Sequence, residues 1–154
     1  MKIPKETIDT MYAQSCKEYP DECCGVIIGQ EDIPKTFKAR PCANIQGQLK
    51  ELYPDMYQRD ADTGYFLDPK ELLSIMNEIS KTGLEIVGFY HSHPNHEAYW
   101  SAEDHRAAMF ADTNEPSFPK VFHFVVSVYE EGVRGAAIFK WNESKMEFNK
   151  ILSI

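Results

Sequence analysis

A chain of 154 residues makes one compact domain of ordinary size and leaves no room for a second. Apolar residues form 43% of it, enough for a packed core without disulfides or oligomerisation. The formal charge of −8, with no basic patch to offset it, argues against a nucleic-acid binder, because phosphate contacts require clustered Lys and Arg.

The N-terminus turns polar directly after Met1, so no apolar signal region is expected, and no stretch approaches the ~20 apolar residues that span a bilayer. The expectation is a soluble, cytoplasmic protein with no membrane partner. Ile8, Met11, Tyr12, Ser15, Cys16 and Tyr19 recur at three- and four-residue spacing, which predicts a helix with one buried stripe. Pro20-Asp21 breaks it. Glu22 then leads into the apolar run Cys23 to Gly29, read as a buried strand, and a second strand is predicted from Thr36 to Arg40, ending before Pro41. Residues 43–67 are the least legible, with turn residues and large aromatics mixed together. A loop of that length is usually functional or disordered, and its aromatics favour a structured flap.

Asp68-Pro69-Lys70-Glu71 is a helix start, with Asp as N-cap, Pro in the first turn and Glu three residues after the cap. Leu72, Leu73, Ile75, Met76 and Ile79 form its predicted apolar face, and Gly83 its stop. Leu84 to Tyr90 reads as a strand running into His91-Ser92-His93-Pro94. Ser101 begins a third helix carrying Asp104, Ala107, Ala108 and Phe110. Strands are predicted at 121–129, 135–141 and 146–152, the first two paired as a hairpin through Glu130-Glu131-Gly132. Cys16, Cys23, Cys24 and Cys42 contain no C-x-x-C pair, so neither a zinc knuckle nor a disulfide framework is indicated.

The chemistry sits between His91 and Asp104. Two histidines one residue apart on a strand project to the same side, so both imidazoles reach a single ion. Asp104, on the first turn of the next helix, is the third candidate ligand. Two imidazoles and a carboxylate suit Zn²⁺ and leave a fourth position open, as a catalytic zinc requires. Such a site still needs a base within hydrogen-bond reach. Glu22, held at the start of a buried strand, is attractive, but spacing alone does not choose it over the other glutamates.

His91-Ser92-His93-Pro94, six residues, Ser101, two residues, Asp104 resembles the JAMM/MPN+ signature H-x-H-P-x6-S-x2-D at every position. Pro20-Asp21-Glu22-Cys23-Cys24-Gly25 is similar to the P-x-E-x-C-G element of small bacterial members of that family, and Val87 to Tyr90 looks like the strand that introduces the histidines. The resemblance covers nearly the whole chain and implies an α+β fold over residues 1–154, with a central mixed sheet and about three helices, similar to cytidine deaminases. It implies that His91, His93 and Asp104 hold zinc, that Glu22 is the general base, and that Ser101 helps to stabilise the oxyanion. It further implies hydrolysis of a peptide or isopeptide bond after the Gly-Gly tail of a ubiquitin-like or sulfur-carrier protein, the tail lying extended beside the enzyme. The competing expectations are a deubiquitinase-like isopeptidase acting on conjugated lysines and a non-catalytic MPN scaffold, which predicts a degraded ligand set.

Plainer readings exist for each residue. Ser101-x-x-Asp104 is also a helix N-cap with an acidic third residue, and the two uses compete for one carboxylate, with the metal expected to win. Glu22 could be a solvated charge after a helix, and Cys23 and Cys24 small buried residues. His96 and His105 read as surface or outer-sphere groups and His123 as a strand residue. Tyr99 and Trp100 line a substrate groove or pack against the domain. A deaminase needs H-x-E and P-C-x-x-C; Ile45 stands where the second cysteine belongs, so that reading fails.

Overall fold

The computed structural model describes residues 1–154. Six strands form one mixed sheet in the order β2-β1-β3-β4-β5-β6: β1 (Cys24–Gln30), β2 (Ile33–Cys42), β3 (Glu85–Pro94), β4 (Phe122–Tyr129), β5 (Gly132–Asn142) and β6 (Glu147–Ser153). Only β3 and β4 are parallel. Their connection therefore has to cross over the sheet, and it carries a helix. Four helices complete the fold: α1 (Lys5–Glu18), α2 (Gln46–Leu52), α3 (Pro69–Ile79) and α4 (Ala102–Ala108). None is long and apolar enough to cross a membrane.

Strand alternation sorts side chains onto two faces. On one, α1 lies across the sheet, and Met11 joins Ile27, Tyr90, Phe124, Val126 and Ile138 in a single apolar cluster. The buried stripe of α1 is Thr7, Met11, Gln14 and Ser15, rotated from the expected one and polar at all but Met11. Thr7 Oγ1 donates to the Phe37 carbonyl, and Gln14 Nε2 to the carbonyls of Cys24 and Cys42, so these polar groups are buried with partners. On the opposite face, α3 covers Val26, Ile28 and Cys42 with Ile75 and Ile79. A separate cluster under α4 holds Val125, Ala137, Phe139 and Phe148.

Several expectations need correction. Strand β2 runs through Pro41 instead of ending before it, because β2 is an edge strand and a missing N–H there costs no ladder bond. Helix α3 ends at Ile79, capped at Ser80; Gly83, at φ +69°, serves the turn that follows. Its buried face is narrower than expected, since Leu73 and Met76 are exposed. Helix α4 stops before Phe110. Residues 43–67 contain α2, a fourth helix that sequence periodicity did not signal.

Candidate metal centre

Strand β3 continues through the histidines, so His91 and His93 share one face while Ser92 points to the other. Parallel pairing sets His91 beside Val125 and His93 beside Ser127, and antiparallel pairing sets His91 beside Cys24. Ser92 locks that side: its Oγ accepts from the Cys23 N–H at 2.8 Å, and its own N–H donates to the Cys23 carbonyl at 3.1 Å. Glu22, the residue before Cys23, is thereby tied to the histidine strand. Its N–H donates to the Ala61 carbonyl at 2.8 Å.

The helix after the loop brings Asp104. Ser101 caps α4, its Oγ accepting from the Asp104 N–H at 3.0 Å, while Asp104 Oδ2 accepts from the Ser101 N–H at 2.9 Å and the Ser101 hydroxyl at 2.6 Å. The capping box is complete. The same carboxylate faces the histidines, with Oδ1 3.0 Å from His91 Nε2 and Oδ2 3.3 Å from His93 Nε2. The expected competition between cap and ligand positions falls on one oxygen only: Oδ1 is free of the cap and faces His91, while Oδ2 is shared between the Ser101 cap and His93.

The two Nε2 atoms lie 3.1 Å apart. The ligand atoms of His91, His93 and Asp104 all fall within 4.8 Å of one another, and all three residues are buried. This geometry can be tested against a metal. Bonds of about 2.0–2.1 Å to a tetrahedral zinc imply ligand-to-ligand edges of about 3.3 Å. The 3.1 Å edge between the two Nε2 atoms and the 3.0 Å edge from His91 Nε2 to Asp104 Oδ1 are close to that value, and the donor set of two imidazole nitrogens and a carboxylate oxygen suits that ion. No cysteine joins the group: Cys23, Cys24 and Cys42 are buried elsewhere, burial pushing the Cys23 and Cys42 thiols up to about 11, and Cys16 is exposed.

Electrostatics separate the two acids. Burial works to raise the Asp104 carboxyl, but the His91 and His93 nitrogens and the Ser101 hydroxyl outweigh it and hold it well below the usual range. Glu22 goes the other way, pushed up to about 9 by burial and then by the negative Asp104, with Arg59 opposing. Both carboxylates line a cleft of about 830 Å³, shared with His93, Ser101, Tyr65 and Tyr99. A positive charge placed beside Glu22 would lower it again.

Tyr99 and Trp100 divide the roles left open for them. Tyr99 is exposed in the cleft, its ring 5.0 Å from that of His93. Trp100 turns inward against Phe148 and His123, at 4.7 and 4.9 Å. His96 lines the cleft. Sequence reasoning missed Tyr65 and Asn44. Tyr65 stacks on His91, and Asn44 donates to the carbonyls of Glu22 and Gly64 at 2.9 and 3.1 Å.

Comparison with known proteins adds three findings. The family model described as prokaryotic homologs of the JAB domain matches residues 4–138. Among curated proteins, the chain is 35% identical over 89 residues to the desampylase of Haloferax volcanii, covering 58% of this chain and 55% of that one. It is 28% identical over 112 residues to the CysO-cysteine peptidase of Mycobacterium tuberculosis, covering 73% and 68%. It is 26% identical over 106 residues to a probable TtuB-protein conjugate cleaving protease of Thermus thermophilus, covering 69% and 62%. The matches thus span little more than half to about two thirds of these relatives. The fold is shared with a solution structure from Desulfitobacterium hafniense at TM-score 0.69 and 21% identity, over 96% of this chain and 87% of that one. A second, from Salinibacter ruber, gives 0.60 at 23% identity over 97% and 88%.

Proposed function

The chain belongs to the prokaryotic JAB-domain homologues, and on that premise we propose that residues 1–154 form one JAMM/MPN+ unit, a zinc-dependent peptidase or isopeptidase. Its substrate is the amide bond after the C-terminal Gly-Gly tail of a ubiquitin-like or sulfur-carrier protein. The observation that carries this reading is the convergence of His91, His93 and Asp104 on one point, next to a buried glutamate in an open cleft. The named activities of the relatives support the substrate class: a desampylase, a peptidase for CysO-cysteine and a protease for TtuB-protein conjugates.

His91, His93 and Asp104 hold the metal. Zinc in that place supplies a Lewis acid for the scissile carbonyl and acidifies water at neutral pH. Glu22 takes the proton from the attacking water and returns it to the leaving amine, which its position on the cleft wall permits. Ser101 gives its hydroxyl hydrogen to Asp104 in the resting state; transferring that bond to the developing oxyanion makes it a transition-state donor. Tyr99 and the aromatics of residues 43–67 border the cleft, where an extended tail is flanked by apolar rings.

The test is intact-mass analysis of a ubiquitin-like sulfur carrier extended past its Gly-Gly, with a lysine-linked conjugate in parallel and zinc content measured throughout. Wild type removes the extension, and Glu22→Ala does so about 10²–10⁴-fold more slowly with its zinc retained. Cleavage of the conjugate alone moves the assignment to a deubiquitinase-like isopeptidase. Zinc-loaded protein that cleaves neither sinks the substrate class, and folded protein without zinc points to a scaffold.

A further inference from the structure

A histidine that holds a metal through one ring nitrogen is ordinarily oriented through the other, by a hydrogen bond to a carbonyl or carboxylate. His93 follows this rule, its Nδ1 lying 3.2 Å from the Glu97 carbonyl. His91 does not. Its Nδ1 is buried and has no hydrogen-bond partner, although the residue is wholly inaccessible. With no partner at Nδ1, no hydrogen bond on that side sets the imidazole plane, whose χ2 torsion is intrinsically broad. Packing against the ring face has to set it instead.

Tyr65 lies against that plane. Its ring and that of His91 are stacked, with centroids 4.6 Å apart and 21° between planes. Tyr65 belongs to no helix or strand, yet its backbone is held on both sides by one side chain. Asn44 donates from Nδ2 to the Gly64 carbonyl at 3.1 Å and accepts at Oδ1 from the Phe66 N–H at 3.0 Å. The Ile45 N–H adds a bond to the Phe66 carbonyl at 2.9 Å. The same Asn44 amide donates to the Glu22 carbonyl at 2.9 Å and accepts from the Gln46 N–H at 3.0 Å. One amide, with four bonds, joins the chain carrying the candidate base to the chain carrying the ring that covers His91.

From this we infer that Tyr65, clamped by Asn44, is the positioning residue for His91. Its ring face sets the imidazole plane and so aims Nε2 at Asp104 and His93, in place of a hydrogen bond at Nδ1. Residues 43–67 are then part of the metal centre as well as a wall of the cleft. The inference rests on the reading of His91, His93 and Asp104 as zinc ligands. It requires the aromatic face only, so the tyrosine hydroxyl is dispensable.

The experiment compares wild type, Tyr65→Phe and Tyr65→Met by zinc affinity in chelator competition, with unfolding midpoints as a control. The His91 ring protons are also recorded by NMR in the metal-free wild type. Tyr65→Phe binds zinc within about 3-fold of wild type, while folded Tyr65→Met binds about 10–100-fold more weakly, the usual loss when an outer-sphere partner is removed. In the metal-free wild type the His91 ring protons are shifted upfield by the tyrosine ring. Folded Tyr65→Met with wild-type affinity overturns the inference, as do unshifted His91 protons in wild type, whichever way the variants fold. Wild type that binds no zinc while its His91 ring stays shifted overturns the metal reading on which the inference rests, whereas unshifted protons in zinc-binding protein overturn the positioning role alone.

Discussion

The two faces of the sheet are built to different rules. Under α1 the core is one cluster of twelve buried residues, whereas the opposite face is broken into clusters of five and four, with the buried histidines and Asp104 between them. Polar groups beneath α1 are paired: Thr7, Gln14 and Ser15 all reach carbonyls, and the Tyr90 hydroxyl donates to Gln14. The three buried side-chain atoms without a partner, His91 Nδ1, Trp100 Nε1 and His123 Nδ1, all lie on the divided face. An unpaired buried polar atom costs about 1–3 kcal/mol. The divided face therefore bears a cost around its histidines that the α1 face does not.

The sharpest way to break this division is Phe124→Ala. Phe124 is fully buried under α1 and pairs with Tyr90 and Ile138, so truncation should cost about 3–5 kcal/mol, read as a lower denaturant midpoint. Zinc bound per folded chain should not change. A loss of zinc in the folded fraction would show that the faces are coupled and the division false.

The next effect is pH-dependent and belongs to the divided face. His123 lies between Trp100, Phe148 and Phe89, and burial, then the nearby His91, lower it to about 3. Its ordinary value is about 6.5, so the unfolded chain binds a proton that the folded one refuses. Stability is intact above pH 6.5 and is lost as pH falls toward 3, by about 3 kcal/mol at pH 4. His123→Phe should remove that slope in pH-resolved denaturation, with no loss at neutral pH because the orphan Nδ1 goes with it. Parallel wild-type and variant curves would mean that His123 keeps its proton when folded.

Legibility followed the same division, by range of interaction. His91-x-His93 and Ser101-x-x-Asp104 were readable because strand and helix periodicity turn a short spacing into a shared direction. Glu22 needed a family resemblance, since its approach depends on β1 pairing with β3. Tyr65 and Asn44 were illegible for a stronger reason. They act from a segment with no repeating pattern, and an aromatic in a loop carries no mark of the ring it will meet. Helix α2 was hidden by Gly47 and a near absence of buried residues. The expected conflict at Asp104 came from counting a residue as one ligand, when it has two oxygens and only Oδ2 is shared between the Ser101 cap and His93.

That conflict yields the smallest and most discriminating test. Ser101→Ala removes a side-chain cap and one of the two Ser101 bonds to Asp104 Oδ2, leaving the bond from the Ser101 N–H. The cap alone is worth about 1 kcal/mol, and Ser101→Thr should restore it, because threonine also caps. Denaturation, zinc competition and turnover then report different jobs of one hydroxyl. Lower stability with unchanged zinc affinity assigns Ser101 to the helix. A parallel loss of affinity means that the cap holds Asp104 in place for the metal. A fall in turnover of about 10²-fold or more, beyond what either accounts for, leaves the oxyanion as the remaining partner of that hydrogen.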